Sequence, residues 1–252
     1  MLGEYSRPSS TMNPIRGSSS PYDLRGLAFH NYIRYDQVLP SPATRMSDVT
    51  LLEKSMTQTV NENWQQAVRD IDVTTMKALL AVDPNLVNQG IVHTRANGTT
   101  YSKSPLRMVN NSLDAARLLL DAGADPNDGA DAGLAILKAS PEVADYLLDA
   151  GADVNRIGNE QGTALMFEVE MNNAELIQLY VDRGANVNYQ REMDGNSALH
   201  FAARLGFENI VNVLLNGGAD PTLKNNDEQT ALDIAKKLDA KTVIARLEKI
   251  AR

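Results

Sequence analysis

The chain has 252 residues, 43% of them hydrophobic but only 5% aromatic, and a formal net charge of −8. That acidity argues against a sequence-independent grip on nucleic acid, which needs a basic surface to neutralise phosphates, and no apolar run reaches the roughly 18 residues of a helical membrane span. Cysteine is absent, which removes disulfides, thiolate catalysis and cysteine metal sites and fits a cytoplasmic, reducing setting.

Taken in chain order, the first zone is "SRPSSTMNPIRGSSSPYDLRG", rich in Ser, Pro, Gly and Arg and without periodicity. Such a stretch buries too little apolar surface to offset the entropy of ordering it. Up to Met46 it carries Arg7, Arg16, Arg25, Arg34 and Arg45 against Glu4, Asp23 and Asp36, so the acidity belongs to the rest of the chain. The opening "MLGEYSRPSS" has no basic flank followed by an apolar stretch and so no secretory pattern. Residues 1–56 read as a Ser/Pro-rich leader, mostly disordered or peptide-like. One part of it, "LAFHNYIRYDQVLP" (27–40), is apolar enough to dock on the body or on a partner.

Residues 57–252 repeat. Unit ends recur as "LLLDAGADPN", "LLDAGADVN", "YVDRGANVN" and "LLNGGADPT", with the first Gly of each Gly-Ala-Asp/Asn at Gly123, Gly151, Gly184 and Gly218, spacings of 28, 33 and 34. Unit starts recur as "KSPLRMV", "GTALMFE", "NSALHFA" and "QTALDIA". Ser104, Thr163, Ser197 and Thr230 stand where a helix should begin, as N-caps, with Pro105 fitted to a first helical position. In "SALHFAARLGFENIVNVLLNGGADP", Gly206 permits a left-handed turn between two helices, and Gly217 and Gly218 end the second. Ile210, Val211, Leu214 and Leu215 recur at helical spacing. One such unit buries a single face of each helix, and stacked neighbours cover the rest.

These motifs resemble the ankyrin repeat family, whose units open T-P-L-H-x-A and close G-A-D-V-N. The match is strong over 156–239, looser over 98–155 and degenerate over 57–97, about 195 residues in all. The resemblance implies an all-α repeat solenoid of stacked helix-turn-helix units joined by β-hairpin-like loops, with six units at 57–88, 98–127, 129–155, 159–188, 193–222 and 226–251. The chain departs from the pattern in places. Only His200 keeps the family histidine, and Arg107, Met166 and Asp233 replace it elsewhere. Glu168 stands where a small residue is usual, so its unit is expected to pack unevenly or to present the acid to a groove. "GIVHTRANGTTYSKS" (90–104) lengthens one loop. The last unit, with Lys236, Lys237, Lys241, Arg246, Lys249 and Arg252, suits a solvated end cap.

No catalytic constellation emerges. His200 is expected to tie adjacent units together; His30 and His93 have no partner cluster and are expected to be exposed. "DPNDGADAG" (125–133) lacks the spacing and terminal Glu of a calcium loop, and "GNEQG" lacks the following Lys or Ser of a phosphate cradle. Trp64 and Met76 read as core. No cofactor or metal is expected, and the chain is read as a non-enzyme.

What remains is surface. Partners of ankyrin arrays, as the resemblance implies, meet loop tips and inner helices. The tips hold Tyr101, Arg156, Tyr189, Arg191, Met193 and Asn196; the inner-helix candidates are Asn111, Glu170, Met171, Arg204 and Leu205. Met171, Met193 and Leu205 are more apolar than a solvent-facing position requires. The expected function is a protein-binding module, adaptor or inhibitor, with no direct nucleic-acid contact. Alternatives are a bacterial effector exported into a host cell, an acidic mimic of nucleic acid, and an enzyme built from the N-terminal segment.

Overall fold

A computed structural model describes residues 46–127, 136–158 and 162–250. The leader up to 45, including 27–40 and His30, lies outside the described residues. So do 128–135, with most of the "DPNDGADAG" stretch, and 159–161 of "GNEQG".

The first helix, α1 (Met46–Asp70), starts upstream of 57. Between Ala43 and Asp83 the chain has neither Pro nor Gly to stop it. Met56, Val60 and Trp64 are four apart, on one helical stripe, and Trp64 and Val68 are fully buried. Next come α2 (Val73–Val82), capped by Asp72 through Thr75 N–H at 3.1 Å, and a 3-10 turn at Pro84–Asn88. The long loop forms an antiparallel pair, β1 (Ile91–Thr94) and β2 (Thr100–Lys103), with Ile91 opposite Lys103. Helical pairs follow: α3 (Pro105–Met108) with α4 (Leu113–Asp121); α5 (Pro141–Asp149), preceded by a turn at 136–138; α6 (Ala164–Glu170) with α7 (Ala174–Asp182); α8 (Ala198–Leu205) with α9 (Glu208–Asn216); and α10 (Ala231–Lys237) with α11 (Lys241–Ile250).

The architecture is an all-α repeat solenoid. One row of helices runs α6–α8–α10 and a second runs α2–α4–α5–α7–α9–α11, each helix packing on the next. Among the described residues only the 90–104 loop pairs strands. Other loops close through short backbone bonds, such as Arg191 N–H to Asn196 O at 3.0 Å and Asn225 N–H to Gln229 O at 3.0 Å.

The Gly-Ala-Asp signature has a mechanical cause. Gly218 ends α9 at φ 90°, and Gly123, Gly151 and Gly184 end α4, α5 and α7 the same way. There Ala219 N–H reaches Leu214 O at 2.9 Å and Gly218 N–H reaches Leu215 O at 3.2 Å, satisfying carbonyls the helix end would orphan. The Asp or Asn two residues on closes a tight turn, as Asn155 N–H to Asp153 Oδ1 at 2.9 Å. The closing Asn then joins the units. Asn155 Nδ2 donates to Gly184 O at 3.1 Å while its Oδ1 accepts from Asn186 N–H at 2.6 Å. Asn127 makes the same pair with Gly151 and Asp153, and Asn188 with Gly218 and Asp220. Thr222 holds that place in the next unit.

In five of the six units the turn between helices also uses a left-handed residue, the turn at 109–112 of the second unit being the exception. Gly206 supplies it at φ 72°, Asn172 at 55°, Asp239 at 54° and Lys138 at 60°. In the first unit the residue is Ile71 at φ 54°, a strained choice for a β-branched side chain. Of the four expected hydroxyl caps, Thr163 and Thr230 accept from Met166 N–H and Asp233 N–H. Ser104 does not cap: its buried Oγ has no partner.

Candidate functional site

The inter-helix turns build the most regular surface feature. The residue just before each left-handed position is Leu137, Met171, Leu205 or Leu238, spaced 34, 34 and 33 apart. Leu137 is half-buried; Met171, Leu205 and Leu238 are 56%, 40% and 53% exposed. A repeat array places equivalent positions in line, so these four form an apolar row across successive units. Isolated exposed apolar residues are ordinary, whereas a row at the repeat period is a candidate contact surface.

At its Leu137 end the row meets an open groove of about 220 Å³. Arg107 of the second unit, Leu137 and Lys138 of the third, Met166, Phe167 and Glu170 of the fourth, and Arg191 and Phe201 of the fifth all line it. The third unit spans 28 residues where the next two span 33 and 34, and side chains on both sides of it reach the same cavity.

Phe167 and Phe201 are equivalent residues of successive units, each covered by cations. Lys138 Nζ lies 5.4 Å from the Phe167 ring centre. The guanidiniums of Arg191 and Arg204 lie 4.8 Å and 4.7 Å from the Phe201 ring centre, within cation–π range. Arg191 is also bound by Asp194, through Nε at 3.1 Å and a second, shorter contact, and that hydrogen-bonded guanidinium holds the Asp194 carboxyl far below the usual range. Arg107 and Arg204 form no ion pair among the described residues.

Beneath this surface lies a polar layer. Glu168 is buried, not turned to the groove, and its Oε1 has no partner. Burial pushes its carboxyl up, against the pull of the Lys138 amide, the Asn173 side chain and the Lys138 charge. Tyr180, fully buried, donates to Ile136 O at 2.8 Å and ties unit four to unit three. Its hydroxyl is pushed well above the usual range by burial and then by Glu168. His200 joins units five and six. Its Nε2 sits 3.0 Å from Gln229 O and must be the protonated nitrogen, so Nδ1 accepts from Ser197 N–H at 3.1 Å. Burial lowers its pKa, which favours that neutral form.

The sequence-predicted residues fall into three groups. Glu170 and Arg191 line the groove, with Arg204 against Phe201; Met171 and Leu205 stand in the apolar row. Asn196 is held inside the scaffold: its Nδ2 donates to Asp194 and its Oδ1 accepts from Asn225 at 3.0 Å. Tyr101, Asn111, Arg156, Tyr189 and Met193 lie outside the groove lining. Met193 is exposed at a loop tip, Asn111 is exposed, and Arg156 and Tyr189 are half-buried. Tyr101 stacks on His93 at 5.2 Å beneath Arg95. His93 is half-buried by that stacking, not exposed as expected. Missed were Leu137 and Leu238 of the row, and Lys138, Phe167 and Phe201 of the groove. The period of 34 between Phe167 and Phe201, and of 33 or 34 between the row members, was the available signal.

Among the described residues no helix is long and apolar enough to cross a membrane. A family model for ankyrin repeats, written as three copies, matches residues 132–225 and 165–247. The rat ankyrin repeat and SAM domain-containing protein 6 is 37% identical over 95 residues, 37% of this chain and 11% of that protein. The mouse B-cell lymphoma 3 protein homolog is 42% identical over 72 residues, 29% and 16% of the two chains. The human 2-5A-dependent ribonuclease is 36% identical over 80 residues, 32% and 11%. The chain therefore spans well under a fifth of the length of these relatives. With the paired helices, the Gly-Ala-Asp closures and the asparagine rungs, these matches lead to one statement: residues 132–247 of the chain are ankyrin repeats.

Proposed function

We propose that the chain is a non-enzymatic adaptor or inhibitor that holds one protein partner on the face formed by the apolar row and the adjoining groove. Ankyrin repeats are protein-interaction modules, and that coarse reading follows from the family. The finer one rests on the row Leu137–Met171–Leu205–Leu238, whose three exposed members, Met171, Leu205 and Leu238, the fold could have made polar without loss to the core. The non-enzymatic reading is supported by where relatives match: the ribonuclease aligns over 11% of its length, a stretch similar to these repeats.

The test places a photo-crosslinking amino acid at Met171, in the row, and in a second protein at Glu175, exposed on α7. After irradiation in cell extract, discrete crosslinked products are expected from position 171 and not from 175. Equal yields from both, or none from 171, would remove the face from the proposal.

A further inference from the structure

The geometry points to an acidic amphipathic helix of another protein as the occupant, lying along units three to six; this rests on the docking face just proposed. The spacing of the row selects the backbone. Packed helices stand about 8–10 Å apart, so row members in successive units are separated by about that distance. A helix rises about 1.5 Å per residue, and seven residues, two turns, cover about 10.5 Å and return to the same face. An extended strand needs about three residues for the same distance, and an odd step turns the next side chain to the opposite face. A helix with apolar residues at every seventh position therefore meets Leu137, Met171, Leu205 and Leu238 in turn, and about 20 residues reach all four.

Charge selects the rest. Beside the row stand Lys138, next to Leu137, Arg204, next to Leu205, and Lys237, next to Leu238, with Arg107 across the groove. Lys138 and Arg204 are exposed. Glu170, next to Met171, and Asp239, next to Leu238, are the two acids against these four cations. A chain with a net charge of −8 has gathered cations along this strip, and a helix with Asp and Glu flanking its apolar positions complements them. Lys138 also lies within electrostatic reach of the buried Glu168. The aromatic surface of Phe167 between Lys138 and Glu170 takes an apolar residue of the same helix.

The probe is a fluorescein-labelled synthetic peptide with Leu at every seventh position and Glu-rich flanks, titrated against the full chain by fluorescence anisotropy. Binding is expected, weakening with added salt and accompanied by a gain of helical circular dichroism. Met171→Glu and Leu238→Glu should each weaken it at least tenfold, and Arg204→Glu likewise, while Glu175→Lys on α7 leaves it unchanged. All four positions are exposed, and each variant's melting temperature guards against misfolding. A matched Lys-rich peptide binding equally well overturns the acidic partner, and a proline-interrupted peptide binding equally well overturns the helix; both leave the docking face standing. Binding that ignores Met171→Glu and Leu238→Glu overturns the inference and the face together. An oligothymidine that binds more tightly than the peptide, and loses binding with Arg204→Glu, overturns the protein partner in favour of nucleic acid.

Discussion

Residues 162–250 and residues 46–127 are built from the same parts, and they use them differently. In the later region the joints repeat: Gly184 and Gly218 close their helices alike, and Asn172, Gly206 and Asp239 make the same left-handed turn. The earlier region keeps that closure at Gly123 and an asparagine rung at Asn127, but solves its other joints once each. Its inter-helix turn is a strained Ile71, its loop is a strand pair, and its second unit opens with a one-turn helix. The cost shows in the unpaired polar atoms. Of the four buried side-chain atoms without a partner among the described residues, Trp64 Nε1, His93 Nε2 and Ser104 Oγ lie in the earlier region. The fourth, Glu168 Oε1, sits where the later region departs from its own pattern. Regularity satisfies hydrogen bonds by repetition; each departure leaves a group to be satisfied by other means.

The contrast can be broken most severely in the regular region. Leu214 is fully buried, and Leu214→Ala should cost about 2–5 kcal/mol. Stability in such an array is a sum of unit and neighbour terms. Amide exchange should therefore accelerate first in α8–α11 and last in α2. Uniform acceleration along the chain would show that the two regions are one cooperative block. Gly218→Val forces a β-branched residue to φ 90° and should cost about 1–3 kcal/mol by thermal melting; no change would mean the closure tolerates a side chain.

A finer comparison uses two asparagines. Asn188→Ala removes a bond to Gly218 and one from Asp220 in the next unit, and should cost about 1 kcal/mol in urea unfolding. Asn85 bonds only Asp83 within its own turn, so Asn85→Ala should lie near zero. In the other direction, Ile71→Asn supplies the residue that unit four uses at Asn172. It should stabilise the irregular region by about 0.5–1 kcal/mol, unless the lost apolar contact of this half-buried side chain outweighs the relief.

The smallest effect depends on pH. The folded Glu168 pKa lies above its unfolded value, so the folded state holds the extra proton between the two. Stability from this group is complete below the ordinary value of 4.5 and falls as pH rises through the window above it. Glu168→Gln should leave the melting temperature unchanged near pH 4 and raise it at neutral pH. A variant that is less stable than the parent at neutral pH would show that the charged form is held after all.

How much was legible follows the same division. The helical pairs of 156–239 could be read because Gly-Ala-Asp, the start motif and the leucines recur with one period, and each piece does one local job. Hairpin 91–103 read only as a long loop, since its strands carry mixed polar residues and no alternation. Helix α1 begins inside the stretch assigned to the leader, 1–56, although neither Pro nor Gly interrupts 46–70. At the surface, Met171 and Leu205 stood out one at a time as apolar residues out of place. Leu137 and Leu238 did not, because their exposure depends on which side of a turn they fall. Glu168 was noticed as unusual, but only packing decides whether such a group is buried or offered to solvent.

The asparagine rungs carry a last implication. Each amide reaches forward to the same two backbone groups of the following unit, irrespective of the residues in the helices between. A segment cut after Asn155 and closed after Asn188 thus has matching ends, and duplicating it would lengthen the molecule without new chemistry at the seams. Thr222, lacking the amide, is where such growth stops.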